Sequence, residues 1–415
     1  MVHKSRSKII KTCQICSSKK LENHIFLGFY PAVNFLTKIS DYHNENIFFP
    51  LELIRCKKCG LIQNRIEVSK EIMFPKSYPY LSGSTNVLKK NFEDLCSEVL
   101  SMNVLKKNEM VLDIGCNDGS LLENLCNKDF NLVGIEPTNS YKIAKKKGIN
   151  CINSFFDKNC AIKIKKKYGF AKIIFATNVF AHVSDSNKFL KNISYLMSHN
   201  TIMVIEIHYL SSMLKKLQFD KITHEHLRYY HLITLDNHLK NFGINIFQVQ
   251  KIPSHGGSLR LFTSKKKYKT DHSIRKIKEE EIKLGIHDGS SLKKFKTDII
   301  AIKYSLLNLL GNLKKKNLRI FGVGAPTRAI TLLNFVGIDE SYIDCILEMS
   351  NSKRLNHFMP GTNIKIKDEE IAFKMPPDYL LILSWHISEV IIKNFKKRGY
   401  RGKFIVPLPK PKVVI

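Results

Sequence analysis

The stretch EMVLDIGCNDGSLLENL, residues 109–125, runs almost directly into FNLVGIEPTNS, residues 130–140, and together they admit few folds. Met110 to Ile114 predicts a strand. Gly115-Cys116-Asn117-Asp118-Gly119 reads as a loop with a small residue at each end, and Ser120 to Leu125 as the start of a helix. A second strand follows and ends in the acid Glu136. Strand, loop, helix, strand and acid form one unit of a doubly wound α/β sheet, whose ligands bind outside the carboxyl ends of the strands.

The loop is spaced G-x-x-x-G, not G-x-G-x-x-G, so it lacks the fingerprint for a pyrophosphate. S-adenosylmethionine has no phosphate; it offers a cationic sulfonium and an amino-acid tail. Asp113 at the strand end suits that positive end. Gly115 and Gly119, with Asn117 between them, let the backbone approach the tail, and Glu136 can accept both ribose hydroxyls. D-I-G-C-N-D-G-S with its downstream acid resembles the first motif of the class I methyltransferases.

Further strands are predicted in AKIIFATNVFAHVSD (171–185) and TIMVIEIHYL (201–210). The first leads into Asn178, expected at the cofactor, and His182; the second ends near Glu206, His208 and Tyr209. Ten residues later comes FDKITHEHLRYYHL (219–232). A metal site is the weakest reading of that segment, because it lacks the spacing of H-E-x-x-H. His224 and His226 share a face if the segment is extended and separate if it is helical.

Cys13-x2-Cys16 and Cys56-x2-Cys59 form two knuckles of two thiolates each, the pattern of a closed, structural Zn²⁺ site. The 39-residue interval between the pairs suggests a small β-rich insert. Beyond residue 266 the chain turns to charged helical sequence, then to LRIFGVGAPTRAITLLNFVGI (318–338) and three strand-like runs at 341–348, 378–385 and 402–409. This is a second α/β domain. Its turn at Gly324, with Arg328 in the following helix, could meet an anion.

The net charge of +31 invites a nucleic-acid partner, but the lysines are spread along the whole chain, so nucleic acid is disfavoured. An anionic small substrate suits such a protein better. No apolar run is long enough to cross a membrane, and no signal peptide is visible, so a cytoplasmic protein is expected.

Taken in order, the cysteine pairs, the methyltransferase core, H-E-H, SHGGSLRLF (254–262), GAPTRAITLLNFVGI, PGTNIKI (360–366) and PLPKPKVV (407–414) resemble the nucleotide-sugar C-methyltransferases, which act on 4-keto-deoxysugars. The resemblance covers nearly the whole chain. It implies a zinc-binding domain (1–75), an S-adenosylmethionine domain (76–265) and a Rossmann-like domain (266–415), with a nucleotide-diphosphate sugar between the last two and a monomeric state. It places the base at His226, with Glu225 beside it and His182 near the sugar. Substrate contacts are expected from Tyr78, Tyr80 and Ser82, from His255, Gly256 and Arg260, and from Gly324 and Arg328. The family usually carries Tyr-His-Glu-His where this chain has Thr223-His224-Glu225-His226. Either another donor (His224, His182, Tyr229 or Tyr230) replaces that tyrosine hydroxyl, or the sugar sits differently. An O- or N-methyltransferase on the same scaffold, or a zinc-ribbon protein binding nucleic acid, are the alternatives.

Overall fold

A computed structural model describes residues 6–32, 36–41, 47–76, 78 and 80–415. At its centre is a seven-stranded sheet. In chain order its strands are Met110–Ile114, Asn131–Ile135, Asn150–Ile152, Ala171–Thr177, Met197–His208, Asn245–Ile252 and Ser258–Ser264. Across the sheet they run third, second, first, fourth, fifth, seventh, sixth. The first five are parallel, and the seventh is antiparallel to both neighbours. An antiparallel strand inserted beside the fifth distinguishes this class I methyltransferase sheet from the doubly wound dinucleotide fold, whose order is 3-2-1-4-5-6. Every residue of Met110–Ile114 is buried, as a strand covered on both faces requires. The helix expected from Ser120 is reduced to a 3₁₀ turn, Leu122–Leu125; the next strand starts at Asn131, which leaves no room for more.

The second α/β sheet has six strands, Ile320–Val323, Cys345–Glu348, Ile366–Asp368, Tyr379–Ile382, Lys403–Val406 and Lys412–Val414. Their order is third, second, first, fourth, fifth, sixth, with only the last antiparallel. That is the doubly wound order itself.

Leu21–Pro31 and Phe48–Cys56, the expected β-rich insert between the cysteine pairs, form an antiparallel sheet with Ile62–Asn64, which follows the second pair. Its fourth strand, Arg228–Tyr229, comes from the middle of the chain and pairs with Ile62 and Gln63. The zinc-side sheet therefore grips the segment that carries H-E-H.

Two helices join the parts. Ser290–Lys314 buries Leu292, Phe295, Ile299, Ile302, Leu306, Leu310 and Leu313, spaced three and four apart on one face. It packs against strand Leu21–Pro31 and helices Leu210–Lys215 and Thr327–Val336. His272–Lys283, beyond the expected boundary at 265, packs against helix Leu232–Lys240 and strand Asn245–Ile252. Its Glu281 accepts from the N–H groups of Leu232 and Ile233 at 2.6 and 3.0 Å, meeting the first donors of that helix.

Candidate active site

Residues 219–232 are neither one helix nor one strand. A 3₁₀ turn, Phe219–Lys221, leads through a turn at His224-Glu225 to the strand Arg228–Tyr229. The turn parts the two histidines. His224 faces the zinc-side sheet, with Nε2 3.1 Å from the Pro50 carbonyl and its ring edge-on to Phe49; it takes no place beside His226. His226 turns towards the carboxyl ends of the central strands, where the rings of His182 and His208 each lie 4.9 Å from its own. His255 stands 4.9 Å from His208.

The hydrogen bonds settle the tautomers. His226 Nδ1 lies 3.1 Å from the Lys221 carbonyl and His182 Nδ1 3.0 Å from the Glu225 carbonyl. A carbonyl only accepts, so each Nδ1 carries the proton and each Nε2 keeps a lone pair. Burial pushes His226 down to about 4 and His182 and His255 to about 3. All three imidazoles are therefore neutral at physiological pH. His255 sits at φ 52°, followed by Gly256 at 80° and Gly257 at 126°. This left-handed run is costly for a histidine and aims its ring into the cluster.

On the cofactor side, Asp113 Oδ1 and Asn178 Oδ1 are buried acceptors without a partner. They stand at the ends of the first and fourth strands, where the α-ammonium of the S-adenosylmethionine amino-acid tail would supply N–H donors. Burial, with Glu136 and Glu206 nearby, raises the Asp113 carboxyl to about 8, so it awaits a cation. Gly115 and Gly119 have φ of 78° and 76°, the left-handed geometry that favours glycine. Glu136 accepts from the Asn117 N–H at 3.0 Å and from the Thr138 N–H at 2.8 Å, and burial raises its pKa.

The expected substrate residues divide. Tyr78 reaches the site and donates to Glu225 Oε1 at 3.3 Å. Tyr80 and Ser82 instead close over the cofactor loop: Asn117 Nδ2 donates to the Tyr80 carbonyl, and Ser82 Oγ donates to Asp118 at 2.9 Å. The Gly256 carbonyl is held by Lys216 and Gln218, both at 3.1 Å. Arg260 is buried within the protein. It lies opposite Glu206 in the paired strands, 2.8 Å from its carboxylate, and also binds Asn91 and Glu98. At the turn before helix Thr327–Val336, the Gly324 N–H donates to the Leu347 carbonyl and the Ala325 N–H to the Glu348 carboxylate. Arg328 makes a two-pronged pair with Asp220, both contacts 2.9 Å. Thr223 Oγ1 is buried without a partner, and the Tyr229 hydroxyl accepts from the Thr223 N–H at 3.1 Å.

Sequence reasoning left two site residues without a role: His208 and Lys221. Lys221 is buried beside His226 and its Nζ has no partner. No spacing rule marks it, because its isolation depends on Arg328 drawing off the neighbouring Asp220.

The four thiols of Cys13, Cys16, Cys56 and Cys59 lie within 4.8 Å of one another; among the described residues no other group of three or more metal-ligating side chains is this close. Cys13 and Cys59 are 3.5 Å apart, Cys16 and Cys56 3.6 Å. A tetrahedral Zn²⁺ with Zn–S of about 2.3 Å requires an S–S edge of about 3.8 Å, so the site fits the ion. From this knuckle Gln14 Oε1 accepts from Arg228 at 2.9 Å, and Asn64 donates to the Thr223 carbonyl at 2.8 Å. Residues of the cysteine-bearing part thus support the H-E-H segment from behind.

Three family models match consecutive parts of the chain: "Putative zinc binding domain" at 13–74, "Methyltransferase domain" at 87–249 and "C-methyltransferase C-terminal domain" at 253–409. The C-methyltransferase NovU of Streptomyces niveus is 27% identical over 98% of this chain and 97% of its own. Among solved structures, the magnesium protoporphyrin IX methyltransferase of Synechocystis is 13% identical, covering 44% of this chain and 85% of its own with a TM-score of 0.33. An S-adenosylmethionine-dependent methyltransferase of Clostridium acetobutylicum is 14% identical, covering 44% and 94% with a TM-score of 0.34. With the sheet order, the cofactor loop, the four-thiol site and this succession of domains, the chain belongs to the S-adenosylmethionine-dependent C-methyltransferases.

Proposed function

We propose that the chain methylates a carbon beside the ketone of a nucleotide-linked 4-keto-deoxysugar. The observation that carries this reading is His226: a neutral imidazole, its Nδ1–H pinned to a backbone carbonyl, its Nε2 lone pair free at the cofactor end of the sheet. A carbon acceptor needs such a base, because a C–H bond is not nucleophilic until its proton leaves.

Bound S-adenosylmethionine supplies an electrophilic methyl group. His226 Nε2 takes the proton from the carbon beside the ketone. The C–H pair becomes a C=C bond and the carbonyl pair moves onto oxygen. The enolate carbon is then the nucleophile for the methyl group that S-adenosylmethionine, held by Asp113, Asn178 and Glu136, would supply, and His226 passes its proton to solvent. His182, neutral and adjacent, contributes a second Nε2 acceptor for a sugar hydroxyl. Glu225 holds Tyr78 at the mouth, on the side where Arg354 of the Rossmann-like domain contributes its charge.

Under this reading the chain is divided at 1–75, 76–265 and 266–415, with the nucleotide between the last two parts. It acts as a cytoplasmic monomer; ten cysteines with no disulfide among them suit a reducing compartment.

The test is direct. The protein is incubated with S-adenosylmethionine and a panel of nucleoside-diphosphate 4-keto-6-deoxyhexoses. Gain of one carbon-bound methyl on a panel member supports the reading. Methyl found only on oxygen or nitrogen, or no transfer across the panel, contradicts it.

A further inference from the structure

Lys221 is a lysine without a reason to be buried. It is 3% exposed, and its Nζ has no hydrogen-bond partner. An unpaired interior ammonium is among the least favourable arrangements a fold can hold. The obvious counter-ion is its chain neighbour, Asp220, but that carboxylate is fully engaged. Both its oxygens meet Arg328 at 2.9 Å, and the Trp385 Nε1–H donates to one of them at 2.7 Å. The other charged or titratable groups acting on Lys221 and its surroundings are Arg328, Lys216, His208, His226, His255 and His386. None of these is an acid. Compensation has to arrive with a ligand.

The place where it arrives is set by the chain. The Lys221 carbonyl accepts from His226 Nδ1 at 3.1 Å, and Lys221, His208, His226 and Tyr229 line one small cavity. In a ketone the oxygen is bonded to the carbon next to the one that loses its proton. A base and an oxyanion donor for such a substrate must therefore be neighbours, as His226 and Lys221 are.

We infer that Lys221 is a catalytic residue whose Nζ–H donates to the acceptor's ketone oxygen and holds the negative charge that forms there as His226 removes the neighbouring proton. This rests on the keto-acceptor reading above. As the C–H pair becomes the C=C bond, the carbonyl π pair settles on oxygen against the N–H donor. If the proton crosses from Nζ to oxygen, it returns when the carbon–carbon bond forms and the ketone is restored. Two observations strengthen the assignment. His226, at about 4, is a weak base, so enolate formation depends on stabilising the oxygen. Burial, then Arg328, brings Lys221 down to about 7, where an acid both donates well and remains charged near neutral pH.

The test uses the full chain and compares wild type, Lys221→Met and Lys221→Arg on the keto-sugar panel member that wild type turns over. For Lys221→Met, kcat and solvent-deuterium uptake at the carbon beside the ketone should fall about 10²–10³-fold, the loss of one oxyanion donor. KM should change little. The melting midpoint should hold or rise, since an uncompensated charge has been removed. A merely structural lysine would lower it. Lys221→Arg should recover part of the rate and lose the decline above about pH 7 that wild type shows. Wild-type kcat in Lys221→Met, or a raised KM at unchanged kcat (the signature of a phosphate anchor), overturns the assignment while leaving the keto-acceptor reading intact. A wild type inert on the whole panel overturns both.

Discussion

Replacing Arg260 separates a structural charge from a substrate contact. The arginine is 3% exposed and Glu206 is fully buried; Nε lies 2.8 Å from the Glu206 carboxylate, and the second arm reaches Asn91 at 3.0 Å. Burial already pushes the Glu206 carboxyl up, and Arg260 opposes that. In Arg260→Met, Glu206 is left charged without a counter-ion or forced to take up a proton. Breaking a buried pair in this way costs about 3–5 kcal/mol. For a unit of this size, that lowers the thermal midpoint by about 6–20 °C. Replacing both members with apolar groups removes the orphaned charge, so Glu206→Leu combined with Arg260→Met should recover most of the loss. Thermal denaturation followed by circular dichroism reads the midpoint, and steady-state kinetics below that midpoint reads KM for the acceptor. An unchanged midpoint with a sharply raised KM would show that Arg260 serves the substrate, and would refute the argument from burial.

Two further outcomes follow from the cofactor and metal sites. Asp113 carries a proton below about pH 8 in the free protein, and a bound cation favours its carboxylate. S-adenosylmethionine binding at pH 7 should therefore release a proton, with affinity rising up to about pH 8 and then levelling. The calorimetric enthalpy should vary with buffer ionisation heat; Asp113→Asn should abolish that variation, and its absence in wild type would contradict the assignment. Purified protein should hold about one zinc per chain. Stripping the metal, or Cys16→Ser, should lower the melting midpoint and reduce kcat more than S-adenosylmethionine affinity, because the zinc-side sheet holds Arg228–Tyr229 next to the H-E-H segment. Full activity in metal-free protein would rule out that support.

Where the chain announces itself locally, its sequence is readable. Asp113, the glycine loop and Glu136 follow one another within a single supersecondary unit, and the cysteine pairs carry their own spacing. What is not legible depends on partners far along the chain. Arg260 reads as a free cation until strand pairing places Glu206 opposite it. Arg328 reads as an anion anchor until residue 220, more than a hundred positions earlier, is found against it. Lys221 becomes conspicuous only as a consequence of that pair. That His224 faces away from His226 becomes visible only when a turn, rather than a helix or strand, is seen to separate them. The strand Arg228–Tyr229 is too short to show a period, and its partner lies in the zinc-side sheet.

The account turns on His226 as the base that makes a carbon nucleophile. The most direct measurement is hydrogen–deuterium exchange at the carbon beside the ketone, with S-adenosylhomocysteine in place of the methyl donor so that no transfer follows. Wild type should wash deuterium from solvent into that position, and His226→Ala should slow the exchange by about 10²–10⁴-fold, the contribution of a positioned base. Exchange in His226→Ala at the wild-type rate would contradict the central claim.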